Sequence, residues 1–117
     1  MAAHAAAREV GDPAAAAAAR AAGLAAASAY THPLADVQQT KHIVGPAAYA
    51  ALALEIHHGD DRSVGDAEVR WAIEHAPPEV SAVLQQMPAR QAGKSRLDTL
   101  LYALDAGLRE RAWPQAA

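Results

Sequence analysis

The amino-acid sequence predicts an all-α protein, a compact bundle of five to seven helices around a central helix rich in alanine. Asp12 and Pro13 precede an almost unbroken alanine run that reaches Ala29, and alanine is the best helix former. Alternating apolar and polar residues, the pattern typical of half-buried β-strands, occur nowhere in the chain. We expect residues 1–117 to form a single helical domain, since that length suits one core.

The composition restricts how the core is built. Hydrophobic residues make up 52% of the chain but aromatic residues only 4%, and phenylalanine is absent. Small side chains bury little apolar surface each, at ~25 cal/mol per Å². We therefore expect closely packed helices and further burial in a homodimer. The few large side chains are expected to lie in the core: Tyr30, Tyr49, Trp71, Tyr102 and Trp113.

Charge and residue usage exclude several classes of function. The formal charge of −3 lacks the basic excess of proteins that bind nucleic acid. The absence of cysteine excludes disulfides, thiolate metal sites and cysteine nucleophiles. No run approaches the ~18 apolar residues of a membrane span, and the charged residues within the opening 1–10 indicate a helix instead of a signal peptide. We expect a cytoplasmic protein without a cofactor or membrane partner.

The first half of the chain predicts three helices. The first covers residues 2–10 and ends at Gly11. The second begins at Pro13, with Asp12 as its N-cap, and runs to about Tyr30. It is small and apolar over most of its circumference, which is typical of a helix surrounded by others.

The third predicted helix starts near Pro33 and is closed by Gly59, the expected residue beyond a helix end. Pro46 lies in its middle and cannot donate a backbone hydrogen bond. We therefore expect a kink there or a division into two helices.

The second half predicts three further helices, two of which have a capping signal. Ser63 with Asp66, and Ser95 with Asp98, resemble capping boxes. Between them, Pro78 can start a short helix that runs to Met87. Its apolar positions match helical spacing: Val80, Val83, Leu84 and Met87. In the last helix a seam of leucines is expected to face the core, and an acid and a base can pair across one turn. The leucines are Leu97, Leu101, Leu104 and Leu108, and the pair is Asp105 with Arg109.

Four residues at one helix end are weak candidates for a metal site: His57, His58, Asp60 and Asp61. Imidazoles and carboxylates together can bind a divalent cation. Adjacent histidines point to different sides of a helix, however, and no spacing supplies three ligands. Histidines near a helix C-terminus also favour its negative dipole end, which is the interpretation we prefer.

The region around the third helix supplies the other candidates. His32 and His42 could act as general bases, but no spacing identifies a nucleophile or an orienting partner. Filling a turn or an interhelical gap is the better interpretation for both. A polar loop is expected over residues 88–94. If it folds back on the third helix, four cations form a basic patch, namely Lys41, Arg90, Lys94 and Arg96. A solvated polar face is the simpler interpretation. The candidate binding residues are therefore His32, Lys41, His42, Tyr49 and Arg90.

Several stretches resemble one protein family. They are residues 18–23 (AARAAG), 25–30 (AAASAY), 32–35 (HPLA), 42–45 (HIVG), 64–67 (VGDA) and 95–105. The order is similar to that of immunity proteins of bacterial polymorphic-toxin systems, in the immunity-protein-five-like group. Members have also been labelled exonuclease SbcC, which we attribute to shared alanine-rich helices. Longer members carry a further N-terminal helical segment, so we expect this chain to be either a short member or the product of a truncated reading frame.

The resemblance implies a protein that binds a toxin and blocks its active site, with no catalytic residues. Two other classes stay open at this point. A histidine- or metal-dependent hydrolase or nuclease would use the histidines for chemistry, and a structural helical adaptor would have a different partner.

Overall fold

Five α-helices and no strand occur within the parts of the chain that the structure, a computed structural model, describes: residues 11–27 and 37–111. The all-α class is thereby confirmed. The helices are α1 (Pro13–Ala27), α2 (Val37–His57), α3 (Arg62–His75), α4 (Pro78–Gln85) and α5 (Arg96–Glu110). The helix predicted over residues 2–10 lies outside the described ranges. No described helix is both long and apolar enough to cross a membrane.

Helix α1 begins where the sequence predicts but lies elsewhere in the bundle. Its start is capped by Asp12, whose Oδ1 accepts a hydrogen bond of 3.0 Å from the Ala14 amide. Among the described helices it packs chiefly against α2, with Ala17 buried and Ala18 and Ala22 exposed. The predicted central position is therefore wrong.

The central helix is α2, which contacts α1, α3 and α5. It passes through Pro46 as a single helix, so the predicted division into two does not occur. Beyond its end, Gly59 and Asp60 both adopt left-handed backbone conformations, with φ of 74° and 64°. Glycine reaches this region without steric cost, as the predicted helix stop requires.

The core lies between α2, α3, α4 and α5. Its buried members are Val44, Ala48, Ala51, Val69, Leu84, Leu100, Leu101, Leu104 and Leu108. The leucine seam of α5 is confirmed, with Leu97 half-buried against it. On α4, Ser81 is buried whereas Val83 is 43% exposed. Trp71 and Tyr102, which we expected in the core, are 55% and 43% exposed.

The helix starts follow local hydrogen bonding. In α5 the prediction is confirmed, because Ser95 Oγ accepts a 3.0 Å hydrogen bond from the Asp98 amide. In α3 the N-cap is Asp61, two residues before the predicted Ser63. The Asp61 carboxylate accepts from both the amide and the hydroxyl of Ser63, at 3.0 and 2.6 Å. A charged acceptor so close to two donors makes the stronger cap.

Helices α3 and α5 run in the same direction. At their starts, Arg96 Nη2 donates to the Arg62 carbonyl over 3.1 Å. At their ends, the Arg111 guanidinium donates to the carbonyls of Ile73 and Ala76. The C-terminal ends of both helices therefore lie together, and each carries the partial negative charge of a helix dipole.

Candidate functional site

The first group of polar side chains joins the starts of α3 and α5 to α2. Arg96 Nε donates to both carboxylate oxygens of Glu55 at 3.0 Å, and its Nη2 donates to Glu55 at 2.7 Å and to Asp66 at 2.8 Å. Hydrogen bonding to Glu55 is the main reason that the pKa of the Arg96 guanidinium is raised, and it outweighs the opposing effect of burial. Glu55 is only 4% exposed, so this ion pair fixes three helices and is not available to a ligand.

The second group fastens the loop between α4 and α5. Arg109 donates to Asp105 at 2.8 Å and to the carbonyls of Met87 and Pro88 at 2.8 and 3.0 Å. The Arg90 amide also donates to Asp105, over 3.2 Å. The pair predicted between Asp105 and Arg109 is confirmed, but Asp105 is buried and serves as the anchor of a whole loop.

The predicted binding residues are only partly brought together. The last loop does fold back on α2, where Arg90 Nη1 donates to Thr40 Oγ1 over 3.3 Å, next to Lys41. Arg90 and Arg96 are turned inward, however, so the four cations form no open basic patch. Lys41, His42 and Tyr49 are half-buried on α2, and His32 lies outside the described residues.

The metal candidates stand at the turn between α2 and α3. The His57 and His58 rings meet edge to face with 5.3 Å between centroids, and His58 Nδ1 lies 2.9 Å from the Leu54 carbonyl. The Asp61 carboxylate is occupied by capping α3. Within the described part of the chain, no group of three or more His, Cys, Asp or Glu side chains is placed to hold a metal ion.

Sequence reasoning missed an exposed aromatic pair on the outer side of α3. Trp71 stacks on His75 with ring centroids 4.3 Å apart and an interplanar angle of 17°. His75 Nδ1 also lies 2.8 Å from the Trp71 carbonyl, which fixes the imidazole. We call this pair the Trp71 platform. The exposure of Trp71 follows from its spacing to Val69, because residues two positions apart face nearly opposite sides of a helix. Val69 is buried, so Trp71 faces outward.

A groove adjoins the platform where α3 and α5 end. Its volume is about 440 Å³, and it is lined by Ile73, Glu74, Gly107, Glu110 and Arg111. We call it the α3–α5 groove. Gly107 allows the two helices to approach, because a Cβ there would overlap the terminal methyl of Ile73. Glu74 is three residues from Trp71, on the same face of α3, so the side of the groove that Glu74 forms lies next to the platform.

Comparison with known proteins gives one finding. Residues 1–79 match the sequence model of a family described as "Imm-5 like putative immunity protein". That range includes α1, α2, α3 and the Trp71 platform, whereas the α5 side of the groove lies beyond it. No curated protein and no solved structure matches the chain.

Proposed function

Since this chain belongs to the Imm-5-like family of immunity proteins, we propose that it binds a bacterial toxin and neutralises it by occluding the toxin's active site. Family membership carries this proposal, because an immunity protein implies a toxin partner. Occlusion requires a stable interface, which buries roughly 1,200–2,000 Å² in specific complexes. The outer faces of the helices are the surfaces available for that contact.

The arrangement of the polar side chains supports a binding role. Arg90, Arg96 and Arg109 donate to buried acceptors or to backbone carbonyls of neighbouring elements. Groups used in this way hold helices and a loop in one arrangement. A surface that is fixed before the partner arrives loses less conformational entropy on binding.

The experiment is a growth assay in a sensitive bacterial host. Each toxin domain encoded beside this gene is expressed alone and together with the protein. We expect co-expression to restore growth. The purified toxin and this protein should elute together from a size-exclusion column, and light scattering should give the mass of one complex. A negative control is the protein with Arg96 changed to methionine, which should destabilise the fold and therefore weaken the rescue. If the folded protein rescues growth from none of the neighbouring toxin domains, the proposal is wrong.

Elemental analysis separates binding from metal-dependent chemistry. We propose that the protein is not an enzyme, and we expect the purified chain to contain no stoichiometric metal. The variants His32→Ala, His42→Ala, His57→Ala and His58→Ala should have the same metal content as the parent. Stoichiometric metal that disappears in two of these variants would instead favour a hydrolase or nuclease.

We also propose a homodimer in the cytoplasm. The support is compositional, since the buried core of the described residues consists of five leucines, two valines and two alanines with no aromatic side chain, and therefore buries limited apolar area. Sedimentation equilibrium of the purified chain should give twice the monomer mass, and fractionation of the native host should find the protein with cytoplasmic markers. A monomer at micromolar concentration would contradict the proposed homodimer. Recovery of the protein in another cell fraction would contradict the proposed cytoplasmic location.

A further inference from the structure

We propose that the Trp71 platform and the α3–α5 groove together dock a basic region of the toxin, with a lysine or arginine side chain entering the groove between Glu74 and Glu110. This inference rests on the proposed function, and it adds the surface and the chemistry of the partner. The occupant is a cationic protein surface. A second copy of this chain and the chain's own residues 112–117 are outcomes of the test.

The platform supplies the apolar part of the contact. Trp71 is 55% exposed, the largest exposed fraction among the large hydrophobic side chains of the described residues. Stacking on His75 holds the indole in one orientation, so little side-chain freedom remains to be lost. Tryptophan is among the residues that most often dominate binding energy, and its face also attracts lysine and arginine.

The groove supplies the charge. Glu74 lies in the last turn of α3, and Glu110 is the last residue of α5. Carboxylates at helix C-termini are unfavourably placed, because each end already carries partial negative charge. The parallel course of α3 and α5 brings both ends to the same groove. Arg111 offsets part of this by donating to the Ile73 and Ala76 carbonyls.

Neither carboxylate has an ionic partner in the part of the chain that the structure describes. The ion pairs formed there are those of Arg96 with Glu55 and Asp66, and of Arg109 with Asp105. Arg70 lies one turn before Glu74, yet the two form no ion pair there.

The chain as a whole has a formal charge of −3. Arg96 and Arg109 point inward and pair with the buried carboxylates of Glu55 and Asp105, so these four charges cancel. Arg90 also points inward, to the Thr40 hydroxyl, and the surface keeps a net negative charge. A negative surface around an exposed tryptophan attracts a positively charged partner, and such complementarity raises the association rate and selects the partner.

The test compares two groove variants with matched controls. Trp71→Ala removes the platform, and the double variant Glu74→Gln/Glu110→Gln removes two negative charges. The controls are Val83→Ala, which shortens an apolar side chain of 43% exposure on α4, and Asp12→Asn/Asp60→Asn, which removes two exposed negative charges elsewhere.

Toxin affinity is measured at low and high salt. We expect Trp71→Ala to weaken binding by about 30-fold or more. The double glutamine variant should weaken binding about tenfold at low salt and less at high salt, where charges are screened. Both controls should stay within about twofold of the parent chain, since exposed residues outside an interface contribute little to binding. The double glutamine variant should also unfold at a higher temperature than the parent, a change that the double asparagine control should not show.

A toxin-free arm keeps this inference separate from the proposed function. A hexa-arginine peptide is titrated into the Trp113→Phe chain, with hexa-glutamate as the control and Trp71 fluorescence as the readout. We expect a saturable, salt-sensitive change with hexa-arginine alone, lost in Glu74→Gln/Glu110→Gln. This result without growth rescue would support the docking surface for basic partners and contradict the immunity role.

Three outcomes overturn the inference while the immunity role stands. The first is wild-type rescue and affinity in both groove variants. The second is a homodimer that Trp71→Ala dissociates, which would make the platform a contact between copies of this chain. The third is hexa-arginine binding that tightens more than tenfold when the chain ends at Arg111, which would make residues 112–117 the occupant.

Discussion

Glu55 illustrates how single residues decide the stability of this fold. Its carboxylate is almost fully buried and is held by three hydrogen bonds from Arg96. A buried charge is costly to leave unpaired, whereas an apolar replacement of the whole pair is often tolerated. The arginine therefore matters chiefly because the glutamate is present.

We expect Arg96→Met to lower the free energy of unfolding by about 3–5 kcal/mol, since it leaves Glu55 without a partner in the core. Urea denaturation followed by circular dichroism measures the change. The double variant Glu55→Met/Arg96→Met should recover a large part of the loss, and Arg70→Ala should change stability by less than about 0.5 kcal/mol. Equal losses in the single and double variants would contradict this account.

Asp61 gives a prediction for pH. Hydrogen bonds from the Ser63 hydroxyl and amide hold the pKa of the Asp61 carboxyl below its ordinary value of 3.8. A carboxylate with a lowered pKa in the folded state contributes stability that is present above the unfolded-state pKa. That contribution is lost as the pH falls through the folded-state pKa.

The matched variant is Asp61→Asn, which keeps a side-chain oxygen but does not titrate. The difference in urea midpoint between parent and variant should be constant above about pH 5 and should shrink toward pH 2. All other carboxylates titrate in both proteins and cancel. Profiles that stay parallel over this range would show that the Asp61 charge does not contribute to the cap.

At the scale of helices, close approach depends on two glycines whose neighbours differ. A Cβ on Gly65 would overlap the Glu55 carboxylate and come within 3.3 Å of Arg96 Nη2. A Cβ on Gly107 would overlap the terminal methyl of Ile73 and come within 3.2 Å of its Cγ1, but the Ile73 side chain is half-buried and can change rotamer.

We expect Gly65→Ala to destabilise the protein by about 1–3 kcal/mol through overpacking against a fixed ion pair. This exceeds the roughly 1 kcal/mol that alanine gains over glycine within a helix. Gly107→Ala should destabilise the protein less than Gly65→Ala, because the Ile73 side chain can move and alanine gains helix propensity over glycine. Thermal unfolding of both variants measures the contrast, and the opposite order would contradict it.

Elements whose signals are local could be predicted from the sequence. Asp12 and Ser95 bond to amides two and three residues away, so their capping follows from short spacing alone. The leucine seam of α5 was equally readable, because it is a strong helical repeat. Capping of α3 by Asp61 instead of Ser63 shows the usual limit, a choice between neighbouring acceptors.

Features that depend on tertiary structure could not be predicted. Arg90 lies fifty residues from Thr40 in sequence, so nothing local indicated that it would turn inward. Trp71 was expected in the core on residue type alone, although its position relative to Val69 places it outside. On α4, Ser81 and not Val83 faces the core, since the orientation of a short helix is set by its neighbour.

At the scale of the whole molecule, the core crosses the boundary of the family match. The matched residues 1–79 contribute Val44, Ala48, Ala51 and Val69. The remaining core residues all lie beyond residue 79: Leu84, Leu100, Leu101, Leu104 and Leu108. The larger side chains of the core are thus supplied by the part of the chain that the family model does not include.

A chain that ends at residue 79 should therefore not fold cooperatively. Each buried leucine contributes about 1.5–3 kcal/mol, so losing five removes roughly as much as the 5–15 kcal/mol that stabilises a typical domain. Circular dichroism should show a broad, non-cooperative melt. A chain that ends at Arg111 keeps the whole described core and should melt sharply. A cooperative transition for the shorter chain would show that the matched segment folds alone.

Helix α1 packs along one side of α2, so its detachment leaves the leucine core buried. The protein should then open in two stages. Amide protons of Ala17–Ala21 should exchange with solvent when α1 detaches, at a free energy below that of global unfolding, and those of Leu100–Leu104 only when the whole protein unfolds. Hydrogen–deuterium exchange would reveal this as two plateaus of protection. Helix α1 would thus be an outer element that detaches from α2 while the leucine core stays folded.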